Sequence, residues 1–226
     1  MRPLNIAHRG ASAEAPENTR AAFQLALEHG ADMIETDLHP TRDGHIVLHH
    51  DFLCEGRPIA TLSLAEIRHR RPDTLTLEDV LDALGASVPF NLELKCPPGG
   101  RYEGLEKRVL HLVRARGLLA RTLFSCFTQA VLAALREHAA DARLGLLVTS
   151  PQDLVGRAHR VRAESVHLPL WLAGRARIEE LQRHGLKVHV FTVDAEPDQR
   201  RLLEWGVDGL FTNDPRRLRH LLRSRS

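Results

Sequence analysis

The stretch VHVFTVDAEPDQRRLLEWGVDGLFTNDPRRLRHLLR, Val188–Arg223, carries one pattern twice. A short β-branched apolar run, Val188–Val193, leads into an amphipathic segment, Pro197–Trp205, that stops at Gly206. A second run, Gly209–Thr212, leads into Pro215–Arg223. Short apolar runs bounded by turn signals fit buried strands. Proline in the first turn and glycine just past the end fit helices. Strands joined by helical crossovers lie parallel, so the unit reads as β–α–β–α within a parallel sheet.

The same alternation extends back to the N-terminus. Further strands are expected at Leu4–Ala7, Met33–Leu38, Val88–Leu94, Thr122–Cys126, Leu144–Val148 and Ser165–Leu168. Helical patterns lie between them at Thr19–His29, Leu77–Leu84, Leu105–Arg116, Gln129–His138, Pro151–Arg162 and Ala176–His184. Asn18 or Thr19 caps the first, and Gly30, Gly117 and Gly185 stand where left-handed C-caps belong. Eight strand–helix pairs in 226 residues point to an α/β fold of the (β/α)8 TIM-barrel type, a single domain over 1–226. An open doubly wound sheet would want a glycine-rich phosphate loop, and neither GxGxxG nor GxxxxGK[ST] occurs. An insertion at approximately 40–76, with a short strand at His45–His49, follows the second strand. It sits in a βα loop, on the face where barrels keep their chemistry.

Composition narrows the partners. Hydrophobic residues make up 43% and charged residues 27%, the balance of a soluble globular protein. No apolar run approaches the roughly 18 residues of a membrane helix, so no membrane insertion is expected. The start, MRPLNIAHRG, lacks the apolar core of a secretory signal. With 31 basic and 29 acidic residues the net charge is +2, which gives no reason to expect nucleic acid. The basic cluster Arg216, Arg217, Arg219, Arg223 and Arg225 reads as a solvated last helix. Three widely spaced cysteines, Cys54, Cys96 and Cys126, suit free thiols in a reducing cytoplasm. Oligomeric state is left open.

Barrel sites draw on the C-terminal ends of strands. Strand one ends in His8-Arg9-Gly10, strand two in Glu35-Thr36-Asp37, the inserted strand in His49-His50-Asp51, and strand three in Glu93-Leu94-Lys95. Residues two apart on a strand share a face, so Glu35 pairs with Asp37 and Glu93 with Lys95. The outer face of a barrel is covered by helices, where bare charge is costly, so these four are expected to point into the mouth. Three carboxylates at one point need positive charge between them. A hard divalent cation, Mg²⁺ or Ca²⁺, held by Glu35, Asp37 and Glu93 supplies it; a carboxylate–Lys95 ion pair without metal is the alternative. His8 and His50 each end a short apolar strand beside a charged neighbour and suit general acid–base work. His49 points away from His50 by alternation and reads as structural, and nothing singles out His39, His45 or His69. Lysine is scarce, with only Lys95, Lys107 and Lys187 among the 31 basic residues. Two histidines, a divalent cation, Arg9 and Lys95 describe a site for an anionic phosphorus group.

The motifs run in order: HRG at His8–Gly10, PENT at Pro16–Thr19, ETD at Glu35–Asp37, DG at Asp43-Gly44, HHD at His49–Asp51, TLEDVL at Thr76–Leu81 and NLELK at Asn91–Lys95. VFTVD at Val190–Asp194 and GVDGLFTNDP at Gly206–Pro215 close the series. In this order and spacing the chain resembles the bacterial glycerophosphodiester phosphodiesterase family. The resemblance implies release of glycerol 3-phosphate and an alcohol from small-molecule glycerophosphodiesters. It implies His8 and His50 as the acid–base pair, Glu35, Asp37 and Glu93 as ligands of one metal, and Arg9 and Lys95 on the phosphate. Which histidine is the acid stays open, as does attack by the glycerol 2-hydroxyl or by water. Three departures bear on substrate size. After Asp51 the family usually runs longer and ends in Arg-Thr-Thr, where this chain has Phe52–Arg57; Trp often replaces Phe191; and a second Asp is usual near Asn213. Two other readings keep the site: a phospholipase-D-like enzyme acting on lysophospholipids, disfavoured by an aromatic content of 4%, and a barrel that binds phosphodiesters without turnover, disfavoured by the intact set of acids and histidines.

Overall fold

In the computed structural model, which describes residues 2–224, the chain alternates strand and helix from β1 (Leu4–His8) to the helix Pro215–Arg223. The strands are β2 (Met33–Pro40), β3 (Ile46–Leu48), β4 (Leu53–Cys54), β5 (Arg57–Pro58), β6 (Phe90–Leu94), β7 (Thr122–Cys126), β8 (Arg143–Leu147), β9 (Ser165–Pro169), β10 (Lys187–Phe191) and β11 (Gly209–Thr212). Strands β1, β2 and β6 through β11 pair in parallel, and β1 pairs with both β11 and β2, which closes an eight-stranded (β/α)8 barrel. Helices cover its outside. Ile34, Leu38, Phe23 and Ala26 all lie in the large core between strands and helices.

Local chemistry accounts for the elements. Thr19 caps the helix Arg20–Glu28 by accepting from the Ala22 amide, and Thr76 with Asp79 forms a capping box on Leu77–Leu84. Gly117, Gly185 and Gly206 all adopt positive φ where helices end. Strand limits differ from the sequence expectation by one or two residues, as at β6, which begins at Phe90 rather than Val88. The helix expected at Pro151–Arg162 is shorter, Leu154–Arg160, because Asp153 caps it at a left-handed φ of 45°. The last helix lies on the surface, with Arg216 paired to Glu14 and Arg217 to Asp214. Arg225 lies outside the described residues.

The excursion after β2 is more structured than its sequence suggested. Strand β3 runs antiparallel along the end of β2, so it extends the barrel sheet rather than standing in a loop. Strands β4 and β5 make a hairpin whose turn residues, Glu55 and Gly56, both have positive φ. A helix, Leu64–Arg70, follows, started by a capping box between Ser63 and Glu66 that the sequence reading passed over. Val47, Cys54, Ile59, Leu62 and Ile67 form a small core of their own beneath it. Among the described residues, no helix is long and apolar enough to cross a membrane.

The barrel interior is partly polar. Below an apolar group of Ile6, Met33, Leu123 and Phe211, two fully buried histidines lie against each other. His189 Nδ1 is 3.2 Å from His167 Nε2, which is also 3.0 Å from the Ser165 hydroxyl. Their rings are 5.0 Å apart. Gly145 makes room for them, because a Cβ there would lie 2.5 Å from His167 Nε2. Burial pushes the pKa of His167 well down, and that of His189 to about 4. Both are neutral inside the barrel at pH 7. An unfolded chain would take up these protons near pH 6.5. Stability from the neutral pair is therefore complete above that pH and is lost as pH falls from 6.5 towards 4, by up to about 1.4 kcal/mol per pH unit for each histidine. Chemical denaturation of the wild type and of His189→Gln between pH 7 and pH 4 should give a shallower decline for the variant. Parallel curves would rule out His189 as a source of the acid sensitivity.

Candidate active site

The end of β1 sets the site's first edge. After His8 the chain turns through Arg9 and Gly10, at φ 58° and 87°. Gly10 is needed twice over, since a Cβ would meet Ala22 at 2.7 Å and its backbone conformation disfavours any side chain. This turn aims the Arg9 amide at Glu35 Oε2, 3.0 Å away. It also carries the Arg9 guanidinium to Asp37, with Nε 3.2 Å from Oδ2, and to Glu17 at 2.7 Å.

Glu35, Asp37 and Glu93 converge. One oxygen from each lies within 4.8 Å of the others. Glu35 and Asp37 are 2% and 1% exposed, while Glu93 keeps 13% of its side chain open to the mouth. Lys95 reaches back beneath them, its Nζ 2.8 Å from Glu93 and 3.1 Å from Asp37. Asn18 donates to Asp37 at 3.3 Å and accepts from the Thr36 hydroxyl at 2.6 Å. Charge is shared unevenly. Burial and the neighbouring carboxylates raise Glu35 well above the usual range, and burial with Asp37 raises Glu93 to about 7. Asp37 goes the other way: burial would raise it, but Lys95 and Arg9 together hold it low. Hard oxygen donors crowded to this degree fit a divalent cation such as Mg²⁺ or Ca²⁺. The ion pairs of Lys95 are present in the same cluster.

Two histidines flank the carboxylates. His8 is held from β11: its Nδ1 lies 2.8 Å from Asn213 Oδ1. The amide orientation is set because Asn213 Nδ2 donates to Asp194 Oδ2 at 2.7 Å. The Asn213 backbone amide donates to Asp194 Oδ1, also at 2.7 Å, and Ser12 donates to Asn213 Oδ1 at 2.8 Å. An amide oxygen accepts only, so Nδ1 carries the hydrogen and Nε2 is the free base. Burial, then Arg9, lowers the His8 pKa. His50 sits nearer solvent, with its Nδ1 2.8 Å from Asp51 Oδ1. His8, Arg9, Glu35, His50, Glu93 and Lys95 line one cavity of about 150 Å³, together with Asn91, Phe127 and Phe191. Asp37 lies beneath it.

The remaining candidates are structural or exposed. Arg71 lies 3.1 Å from His49 Nε2, and the Asp51 amide donates to His49 Nδ1. His39 is fully buried against Phe52 and Tyr102. His45 and His69 face solvent. The sequence reading gave no role in the site to Asn213, Asp194 or Asn91, and offered Asn18 only as a helix cap, a place that Thr19 takes. Each falls within a quoted motif (TND, TVD, PENT and NLELK), which was the available signal.

Comparison with known proteins places these features in a family context. Residues 8–217 match the family model described as the glycerophosphoryl diester phosphodiesterase family. A glycerophosphodiester phosphodiesterase of Caldanaerobacter subterraneus subsp. tengcongensis is 31% identical over 99% of this chain and 99% of its own length. One from Bacillus subtilis is 27% identical over 95% of this chain and 84% of its own. Among solved structures, one from Galdieria sulphuraria superposes with a TM-score of 0.89 at 29% identity, covering 98% of each chain. An Oleispira antarctica phosphodiesterase, solved with the product sn-glycerol-3-phosphate, superposes with a TM-score of 0.87 at 24% identity, over 98% of this chain and 97% of its own.

The Asp194–Asn213–His8 chain makes a structural prediction. Histidine-selective ¹⁵N NMR should show His8 as the Nδ1–H tautomer in the wild type. In Asn213→Ala, which removes a hydrogen bond worth about 0.5–1.5 kcal/mol, a mixture of tautomers should appear. An unchanged tautomer in the variant would mean that another group sets the His8 ring.

Proposed function

The chain belongs to the glycerophosphoryl diester phosphodiesterase family, and from that premise we propose that it is a metal-dependent enzyme releasing glycerol 3-phosphate and an alcohol from small glycerophosphodiesters, with His8 and His50 as its acid–base pair. One observation carries the reading: Glu35, Asp37 and Glu93 converge within 4.8 Å, and Glu35 and Glu93 line one cavity with Arg9, Lys95 and both histidines. The cytoplasm is the proposed setting, on the strength of the cysteine pattern read from the sequence.

Glu35, Asp37 and Glu93 would hold the Mg²⁺ or Ca²⁺ ion. Once bound, the ion supplies Lewis-acid neutralisation of phosphate charge. Arg9 and Lys95 place two further cations at the same wall and orient the phosphodiester. The histidines divide the proton work by their surroundings. His8 has Nδ1–H tied to a neutral amide, so Nε2 takes the proton of the attacking hydroxyl, whether from glycerol or water. His50 has the Asp51 carboxylate on Nδ1, which leaves Nε2 to give a proton to the leaving alcohol.

A second reading gains support from one observation. Some of the few aromatic residues lie at the mouth: Phe127 is 39% exposed, its ring centroid lies 6.3 Å from that of Phe191, and an adjoining groove of about 550 Å³ lined by Phe52 and Phe127 shares Glu93 and Lys95 with the site. Such a rim suits an acyl-bearing diester, a lysophospholipid, better than composition alone suggested.

His8→Ala and His50→Ala should each lower kcat by roughly 10²–10⁴ on glycerophosphocholine. With a nitrophenol leaving group, which departs without a proton, His50→Ala should recover most of its activity and His8→Ala should not. Recovery of both, or of His8→Ala alone, would reverse or void the assignment. Activity of the wild type should disappear with EDTA, and Glu93→Ala should need a higher Mg²⁺ or Ca²⁺ concentration for half-maximal turnover. The same assay with lysophosphatidylcholine measures the weight of the second reading.

A further inference from the structure

Cys96 and Cys126 are unpaired thiols that the proposed chemistry does not use. Strands β6 and β7 run side by side with Glu93 opposite Ser125. Cys126 therefore ends β7 one step beyond that pair, and Cys96 follows β6 by two residues. The two sulfurs are 3.6 Å apart. Cys126 is 1% exposed, fixed by the Thr128 amide, which donates to its sulfur at 3.3 Å, and by the Leu94 carbonyl at 3.1 Å. Cys96 is only partly buried and begins an irregular segment, Pro97–Gly100. Both line the groove that opens beside the site, so a small oxidant has a path to them.

We propose that Cys96 and Cys126 form a reversible intramolecular disulfide, with hydrogen peroxide as the oxidant, and that its closure lowers the enzyme's activity. Cys96 is the attacking sulfur. Hydrogen bonding from Cys126 lowers its pKa to about 7, and the same contact, with burial, keeps Cys126 protonated. The Cys96 thiolate attacks the peroxide oxygen, the O–O bond breaks, and the product is a sulfenic acid and water once a proton is taken up. The Cys126 sulfur then attacks the sulfenic sulfur. The S–O bond breaks, a second water leaves with the Cys126 proton, and the S–S bond forms. Two thiols are oxidised by two electrons and one peroxide is reduced to two waters. A dithiol returns the electrons.

The reach to the site is short. A disulfide needs its sulfurs about 2.05 Å apart, so the pair must close by more than an ångström. Cys126 belongs to a strand and Cys96 to a loop, so Cys96 moves. It is bonded to Lys95, whose Nζ is held between Glu93 and Asp37. Ångström-scale displacement of a positioning group costs up to about 10²-fold in rate, so a loss of roughly tenfold or more is expected.

The activity arm rests on the function proposed above; the thiol arm does not. The reduced protein is treated with hydrogen peroxide and followed by intact mass, peptide mapping and turnover of glycerophosphocholine. The expected result is loss of the mass of two hydrogens, a peptide linking Cys96 to Cys126, and activity that falls and returns with dithiothreitol. Cys54→Ser should behave as the wild type. Cys126→Ser should instead accumulate a dimedone-reactive Cys96. Gain of oxygen mass without the cross-link, or a cross-link that uses Cys54, overturns the pairing. A complete cross-link with unchanged turnover overturns the coupling to Lys95. Absence of turnover in the untreated protein would count against the functional reading alone, and the mass data would still decide the thiol pair.

Discussion

Three carboxylates brought to one buried point repel one another, and the rest of the mouth is organised around that repulsion. Arg9 and Lys95 return two positive charges, and both of them reach Asp37. Glu35 and Glu93 are left raised in pKa. With all three acids ionised the cluster is one negative charge from neutrality. A divalent cation would carry it to one positive charge, and a singly charged phosphodiester would bring it to neutral. In the proposed enzyme the site is thus balanced only when metal and substrate are both bound. That favours an arrangement in which each stabilises the other's place.

Holding that cluster still demands more of the scaffold than a generic barrel supplies. The turn at Gly10 fits only because Ala22 is small and the glycine lacks a Cβ. Asn18, itself at a positive φ of 57°, ties Asp37 to Thr36 across the wall. On the opposite side β11 contributes no charge to the mouth. Asn213, just past its end, converts the Asp194 carboxylate into a fixed neutral acceptor for His8.

Much of this was legible before any coordinates. The eight strand–helix repeats, the spacing of Glu35 with Asp37 and Glu93 with Lys95, and the histidines at strand ends are local patterns. A periodicity or a cap records them directly. What escaped was tertiary. Asn213 and Asp194 are ordinary loop residues until β10 and β11 bring them to His8. Every residue of β2 is buried, so its exposure carries no alternation, and its face had to be inferred from charge. The Ser63–Glu66 capping box is readable in the sequence but lies in the insertion, where only a short strand is expected, and the helix it starts is a finding of the structure. Aromatic content is a count, and the placing of Phe127 and Phe191 at the mouth is a tertiary fact that no count records.

Lys95 and Arg9 show why the two cations are not interchangeable. Arg9 lies along the rim, where a planar guanidinium can meet Asp37 with one edge and Glu17 with another. Lys95 stands 10% exposed between Asp37 and Glu93, where two oxygens converge on a single nitrogen. A compact ammonium fits such a point; a fork with five donors in a plane does not. Removing one partner from a buried ion pair costs about 3–5 kcal/mol, because the charge left behind cannot be resolvated. In a chain that otherwise uses arginine almost throughout, a lysine persists where a point charge, rather than a planar one, has to sit among carboxylates. Lys187, half-exposed and 3.2 Å from Glu164 at the opposite end of its strand, is under no such constraint, so scarcity alone did not mark Lys95. Its place on the Glu93 strand did.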